Sequence, residues 1–340
     1  MLAIQFHTTG TPSSVLSCAD VPQPVPCNGE VLVRMLACPI NPSDLMFIRG
    51  VYGMQPQLPQ TPGFEGVGVV EASGGGWKGR LFTGKRVAVL NPSGGNWAEY
   101  SVVPAANVIP LSGKLSDQQA ATFFVNPATA WIMTQEVLQI PRRAWLLQTA
   151  ANSALGRMVI RLGHRRGFRT INVVRRADSV DELRADGAAH VIVFDSQRDD
   201  PQELQRAVQT IVGTTGLRYA IDPVGGNTAS SVLQTLTSGG RLLLYGTLSD
   251  QSLTIPPREL MSRQASVEGF WLGNFMERKS LLFKLRLVTR ITRLIQNGTL
   301  ATHIRATYPL TQIEQGIQDA MESGRNGKVI LSTEDISEHG

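Results

Sequence analysis

From about residue 123 onward the chain repeats one pattern: a short apolar run, a turn, then a helical stretch. Strands separated by helices cannot close as hairpins, so they pair in parallel through crossovers. The apolar runs are Ala144-Trp145-Leu146-Leu147-Gln148, Thr170-Ile171-Asn172-Val173-Val174, His190-Val191-Ile192-Val193-Phe194, Tyr219-Ala220-Ile221-Asp222, Arg241-Leu242-Leu243-Leu244-Tyr245, and Ser266 through Trp271. A helix is predicted from about 154 to 166, and another opens at Ser179, which has capping-box spacing to Glu182. The expected fold class is therefore α/β, with a doubly wound parallel sheet of the dinucleotide-binding type over 123–272.

Residues 1–122 read differently. Runs such as Val31-Leu32-Val33-Arg34-Met35-Leu36, Val67-Gly68-Val69-Val70 and Arg86-Val87-Ala88-Val89 are punctuated by Pro and Gly, which predicts a β-rich domain. The tail, 273–340, carries a long helix and a last run, Lys328-Val329-Ile330-Leu331, and is expected to return to that first domain. Two domains suit a chain of 340 residues.

Composition narrows the partners. Hydrophobic residues at 42% and charged residues at 17% suit a packed chain and exclude disorder. Neither a bilayer-spanning run nor a signal-type N-terminus is visible, so no membrane partner is expected. Cys18, Cys27 and Cys38 form neither a disulfide framework nor a zinc pattern, which suits a reducing cytoplasm. The net charge of +5 fits an anionic ligand. Arg142-Arg143 and Arg165-Arg166 read as solvated charges, so no nucleic-acid partner is expected. The basic segment 278–293 reads as an amphipathic helix packed on a domain, and His7, His164, His190, His303 and His339 show no ligand spacing.

Two features point to a nucleotide. After the first strand comes Thr149-Ala150-Ala151-Asn152-Ser153-Ala154-Leu155-Gly156, a run of small residues at a strand-to-helix turn. Small side chains let backbone N–H groups approach a pyrophosphate, which the helix N-terminus stabilises. The second strand ends Val173-Val174-Arg175-Arg176, where a carboxylate would be needed to accept from an NAD ribose. Two guanidiniums suit a 2′-phosphate instead, so the expected cofactor is NADPH.

Four segments carry a resemblance: Asn41-Pro42-Ser43-Asp44 with Gly50-Val51-Tyr52; Ala151-Asn152-Ser153; Thr170-Ile171-Asn172-Val173-Val174-Arg175; and Gly269-Phe270-Trp271-Leu272. With them the whole chain resembles the medium-chain dehydrogenase/reductase superfamily, a GroES-like catalytic domain combined with a Rossmann domain. Within it the chain looks most like the 2-enoyl thioester reductases, which act on enoyl-CoA or enoyl-acyl-carrier protein. Zinc alcohol dehydrogenases of that superfamily need Cys and His ligands. Here the corresponding places read Asn41-Pro42 and Gly63-Phe64-Glu65, so the resemblance is to the zinc-free branch and no metal is expected.

The resemblance implies Tyr52 as the catalytic residue. It implies cofactor contacts from Asn126, Asn152, Ser153, Ala154, Leu155, Arg175, Arg176, Tyr245, Gly246, Thr247, Leu248, Phe270, Trp271, Leu272 and Lys328. Taken without it, Asn126 reads as a helix N-cap, Lys328 as an exposed edge charge, and Tyr52 as a loop aromatic packed on Pro56 or Leu58. Ala154 stands where the family has Gly, which a negative φ tolerates and a positive φ does not. The resemblance further implies a homodimer through strand six, with an acyl thioester as substrate and acyl-carrier protein as one form of its carrier. A quinone or alkenal reductase of the same superfamily is the alternative, and an NADPH-binding protein without turnover ranks third.

Overall fold

A computed structural model describes residues 1–111, 113–322, 324 and 326–333. The chain forms two compact units, Met1–Val125 with Thr302–Gly340, and Asn126–Ala301.

In the second unit the sheet has six parallel strands. Across it the order is His190–Val193, Arg169–Val174, Trp145–Gln148, Tyr219–Asp222, Arg241–Leu244, Ser266–Gly269. In chain order that is third, second, first, fourth, fifth, sixth, so the winding direction reverses between the first and fourth strands. A crevice at the carboxyl ends of those two strands is where such sheets bind ligands. The helix Ala154–Arg166 follows the first strand; Ser153 caps it by accepting from the Gly156 N–H at 3.1 Å. Gly156 has no alternative: a Cβ there would stand 2.5 Å from the Ala151 carbonyl oxygen.

The helix after the second strand departs from expectation. Ser179 ends a 3-10 turn, Ala177–Ser179, ahead of the helix Val180–Ala185, and its side chain makes no cap hydrogen bond. Glu182 does not complete a capping box either, because its carboxylate pairs with Arg157. Several strands stop a residue or two earlier than their apolar runs. Tyr245 and Phe270 lie just past their ladders, although the Phe270 N–H still donates to the Leu244 carbonyl at 2.7 Å.

The first unit is built around the strand Glu30–Pro39, which pairs antiparallel with Glu65–Ser73, Tyr100–Pro104 and Lys328–Ser332. The last run of the chain thus completes the first sheet. The stretch 273–301, however, belongs to the second unit. Its helix Leu281–Gln296 buries Leu287, Ile291, Leu294 and Ile295. Arg161 of the first crossover helix ties the following turn, donating to the carbonyls of Thr299 at 3.1 Å and Ala301 at 2.6 Å. Packing of a helical apolar stripe set that boundary, and the apolar runs do not reveal it. Among the described residues no helix is long and apolar enough to cross a membrane.

Candidate functional site

In the second unit the loop segments expected at a nucleotide all leave the carboxyl ends of its parallel strands, at one end of the sheet. Asn152, Ser153, Ala154 and Leu155 form the turn into the first helix. Ala154 has the negative φ its side chain requires, and the left-handed residue of this turn is Ala150, at φ 47°. Ser153 is exposed and Leu155 buried. The Asn152 side chain is committed, since its Oδ1 accepts from Arg157 Nη2 at 2.7 Å. Arg157 also pairs with Asp186 at 2.9 Å, so this buried guanidinium braces the turn.

Arg175 and Arg176 are both exposed at the end of the second strand. Arg176 is held by Asp178, with Nε 3.2 Å from Oδ2. Tyr245-Gly246-Thr247-Leu248 runs beside Asp222-Pro223-Val224, with the Tyr245 N–H on the Asp222 carbonyl and the Leu248 N–H on that of Pro223, both at 3.0 Å. A Cβ on Gly246 would stand 2.7 Å from the Pro223 carbonyl oxygen. Phe270 lies near Phe275, with ring centroids 6.0 Å apart and the rings tilted by 47°; Trp271 is exposed and Leu272 half-buried. Asn126 stands second in the helix Val125–Trp131, so it is not that helix's N-cap.

The switch point holds a pair the sequence did not single out. Asp222, ending the fourth strand, accepts from the Thr149 hydroxyl and from the Gly225 N–H at 2.6 Å. Burial holds its carboxyl above the usual range, opposed by these hydrogen bonds. Two cues were visible: a strand ending in a carboxylate, and a hydroxyl just past the first strand. The residues present fit a dinucleotide. The turn is of small residues at a capped helix N-terminus, and the strand end offers guanidiniums where an NAD site needs an acceptor.

The first unit gathers Tyr52 and Lys328 around a buried polar network. Asn41 caps the helix Pro42–Arg49 in a capping box with Asp44, whose Oδ2 accepts from the Asn41 N–H at 2.8 Å. The other Asp44 oxygen accepts from the Phe64 N–H at 3.0 Å. The Asn41 amide donates to Glu65 Oε1 at 3.0 Å, and its oxygen accepts from Lys328 Nζ at 2.6 Å. Glu65 Oε2 accepts from the Val125 N–H at 3.0 Å. Asn41, Asp44, Glu65 and Lys328 are all buried, so the edge-charge alternative for Lys328 is wrong. It is a cation among two carboxyls.

Tyr52 follows the left-handed Gly50 (φ 74°) that ends the helix. Its ring is half-buried and stacks on Phe64, centroids 5.2 Å apart at 30°. Phe64, where a zinc enzyme has a ligand, is thus the platform for the tyrosine. Burial, with the nearby Asp44, pushes the Tyr52 phenol up to about 12. Burial also pushes the Asp44 carboxyl up to about 7 and raises Glu65, against the hydrogen bonds and Lys328. Among the described residues no three His, Cys, Asp or Glu side chains come together as a metal site. His190 lies against Trp145, rings 5.5 Å apart, and His339 lies outside the described residues.

The Asp44 shift predicts a pH dependence. A carboxyl with its folded pKa raised keeps its proton in the folded state after the unfolded state has lost it. Its contribution to stability is full below about pH 4 and is lost as pH rises through about 7. Urea midpoints measured from pH 4 to 8 should therefore fall more steeply for the native chain than for Asp44→Asn. Parallel curves for the two would contradict the shift.

Two family models match: the alcohol dehydrogenase GroES-like domain over residues 27–113 and the zinc-binding dehydrogenase over 154–286. The mitochondrial enoyl-[acyl-carrier-protein] reductase of Bos taurus is 31% identical over 97% of this chain and 88% of its own. A crystal structure from Bacillus thuringiensis, provisionally described as an NADPH:quinone reductase, superposes with a TM-score of 0.88 at 32% identity. It covers 98% of this chain and 99% of its own. A mycobacterial protein solved with NADPH superposes with a TM-score of 0.82 at 26% identity, over 98% of this chain and 99% of its own.

Proposed function

Because this chain belongs to the zinc-free branch of the medium-chain dehydrogenase/reductase superfamily and is an oxidoreductase, we propose that it reduces the C=C bond of trans-2-enoyl thioesters. The cofactor is NADPH, as in the superimposable mycobacterial complex. The thioester is carried by CoA or by acyl-carrier protein, the carrier named for the mitochondrial relatives. When bound, NADPH supplies a hydride to the β-carbon, and a proton must then reach the α-carbon.

The observation that carries this reading is Tyr52, stacked on Phe64 and kept protonated by burial. Hydride addition develops negative charge on the thioester oxygen, and a fixed donor stabilises it. A phenol held near 12 is a weak acid but a persistent hydrogen-bond donor. We therefore assign Tyr52 to orienting and stabilising the enolate, with the α-carbon proton drawn through it or from water. The turn 152–155 would hold the pyrophosphate, and Arg175 with Arg176 the 2′-phosphate. Tyr245 through Leu248 and Phe270 through Leu272 would border the nicotinamide. Asn126 and Lys328 complete the proposed set. A homodimer belongs to the same proposal, supported by the strand Ser266–Gly269 at a sheet edge, as does a cytoplasmic location, supported by the free Cys18, Cys27 and Cys38.

The direct test follows NADPH absorbance with purified chain and a series of trans-2-enoyl-CoAs. A simple quinone replaces the thioester in one control. Turnover of the thioesters is expected; turnover of the quinone alone would leave a quinone reductase of the same superfamily. Cofactor choice is read in parallel. Arg175→Ala should raise the KM for NADPH by about 10- to 100-fold with little change for NADH, as for loss of a charged hydrogen-bond donor. Arg176→Ala should act in the same direction, since both side chains stand at the end of the second strand. Equal effects on both cofactors would contradict the 2′-phosphate assignment.

A further inference from the structure

The second unit has a basic groove that the proposed reduction does not use. It occupies about 490 Å³ between the end of the helix Ala154–Arg166 and the helix Leu281–Gln296, with Trp131 at its base. Arg165 and Arg166 line one wall. Arg286, Arg290 and Arg293 line the other, at spacings of four and three residues that place them on one helical face. Arg166 and Arg290 lie over the Trp131 ring, 5.4 and 4.5 Å from its centroid. Glu136 is the carboxylate near this cluster: it accepts from the Trp131 indole at 3.0 Å and stands 3.9 Å from Arg290. Among the described residues Arg165, Arg286 and Arg293 have no carboxylate within ion-pair distance. The segment 278–293 contains no acidic residue at all.

Toward the N-terminus of this helix Leu281, Leu282 and Leu285 are 67%, 56% and 57% exposed; Leu285 lines the groove, Leu282 stands one turn before Arg286, and Leu281 lies on a neighbouring face. Its buried stripe is a different set, Leu287, Ile291, Leu294 and Ile295. The exposed surface of this helix therefore carries leucines around its first turn and arginines along the groove beyond it. Five guanidiniums with one carboxylate leave the groove strongly positive, and exposed leucines border it, so it is complementary to an acidic surface that also carries apolar side chains. We propose that this groove docks an acidic amphipathic helix of a partner protein. Its carboxylates, at matching spacings of four and three residues, meet the arginines, and its apolar residues cover the leucines.

Two features favour a helix over other polyanions. A nucleic-acid backbone offers phosphates to the arginines and nothing to three exposed leucines. A bilayer is flat and needs its cations around an apolar plane, whereas these arginines line a concave groove. Arg286 to Arg293 spans about 10 Å of helix, two turns of a rod-like partner. The inference does not rest on the reductase reading.

The test uses the full chain and a fluorescein-labelled 18-residue helical peptide with Glu at two successive spacings of four and three and Leu on the adjoining turns. Its Glu→Gln counterpart, a single-stranded DNA oligonucleotide and phosphatidylglycerol vesicles are the comparison probes. Anisotropy should show binding of the Glu peptide over its Gln counterpart. Binding should weaken about tenfold in Arg286→Gln/Arg293→Gln and several-fold in Leu285→Ser. The charge-matched pair Arg206→Gln/Arg218→Gln, exposed elsewhere on the unit, should bind as the native chain does. NADPH turnover of a small enoyl-CoA, or NADPH binding if that turnover is absent, should be unchanged in every variant. Equal binding of the Gln peptide, equal loss in the two double variants, or tighter binding of DNA or vesicles would overturn the proposal.

Discussion

Replacing Tyr52 by Phe is expected to lower kcat/KM for a trans-2-enoyl-CoA by about 10²- to 10⁴-fold, the range for losing a positioned proton donor. The substitution keeps the ring, so the 5.2 Å stacking on Phe64 and the packing of the loop survive. Only the hydroxyl disappears. If that hydroxyl meets the developing enolate, kcat falls with kcat/KM, because the interaction exists mainly in the transition state. The KM for NADPH should hold. A loss confined to KM would place Tyr52 in ground-state binding alone, and an unchanged rate would remove it from the chemistry. Steady-state kinetics with thermal melts of both proteins separate these results.

Lys328→Met is expected to be the most destabilising single change, costing about 3–5 kcal/mol, the range for breaking a buried ionic group. The ammonium donates to Asn41 and favours the charged forms of both Asp44 and Glu65. Met fills similar space but leaves the Asn41 oxygen unmatched and two buried carboxyls with no cation. The pH dependence distinguishes this account from a packing defect. At pH 5 the Asp44 carboxyl, with its pKa at about 7, is protonated, so the missing cation matters less. By pH 8 the carboxyl must ionise or hold its proton at a cost, so the loss should grow. Melting temperatures at the two pH values check it; a deficit that does not change with pH would mean lost packing only.

What the sequence revealed followed from periodicity. Each parallel strand was visible as an apolar run, since both faces of such a sheet are covered and its strands need no polar alternation. The helix Ala154–Arg166 was equally plain after its small-residue entry, and the left-handed Gly167 ends it. Features decided by three-dimensional packing were not. The edge-charge reading of Lys328 fails because its partners, Asn41 and the carboxyls beside it, lie nearly 300 residues away. Ser179 and Glu182 had the right spacing, yet Arg157 from another helix claimed the carboxylate. The concern at Ala154 belonged one turn earlier, since the positive φ falls on Ala150. Phe64 was noted only as a residue that cannot bind metal. Its role as the surface under Tyr52 needed the fold to bring residues 44, 52 and 64 together.

The central claim is a hydride delivered to the β-carbon of an enoyl thioester. Its most direct measurement uses NADPH deuterated at both C4 positions, a trans-2-enoyl-CoA, and mass spectrometry with NMR of the saturated product. The account predicts one deuterium at the β-carbon and a solvent-derived hydrogen at the α-carbon. Deuterium at the α-carbon, or no deuterium in the acyl chain while the labelled NADPH is oxidised, would contradict it.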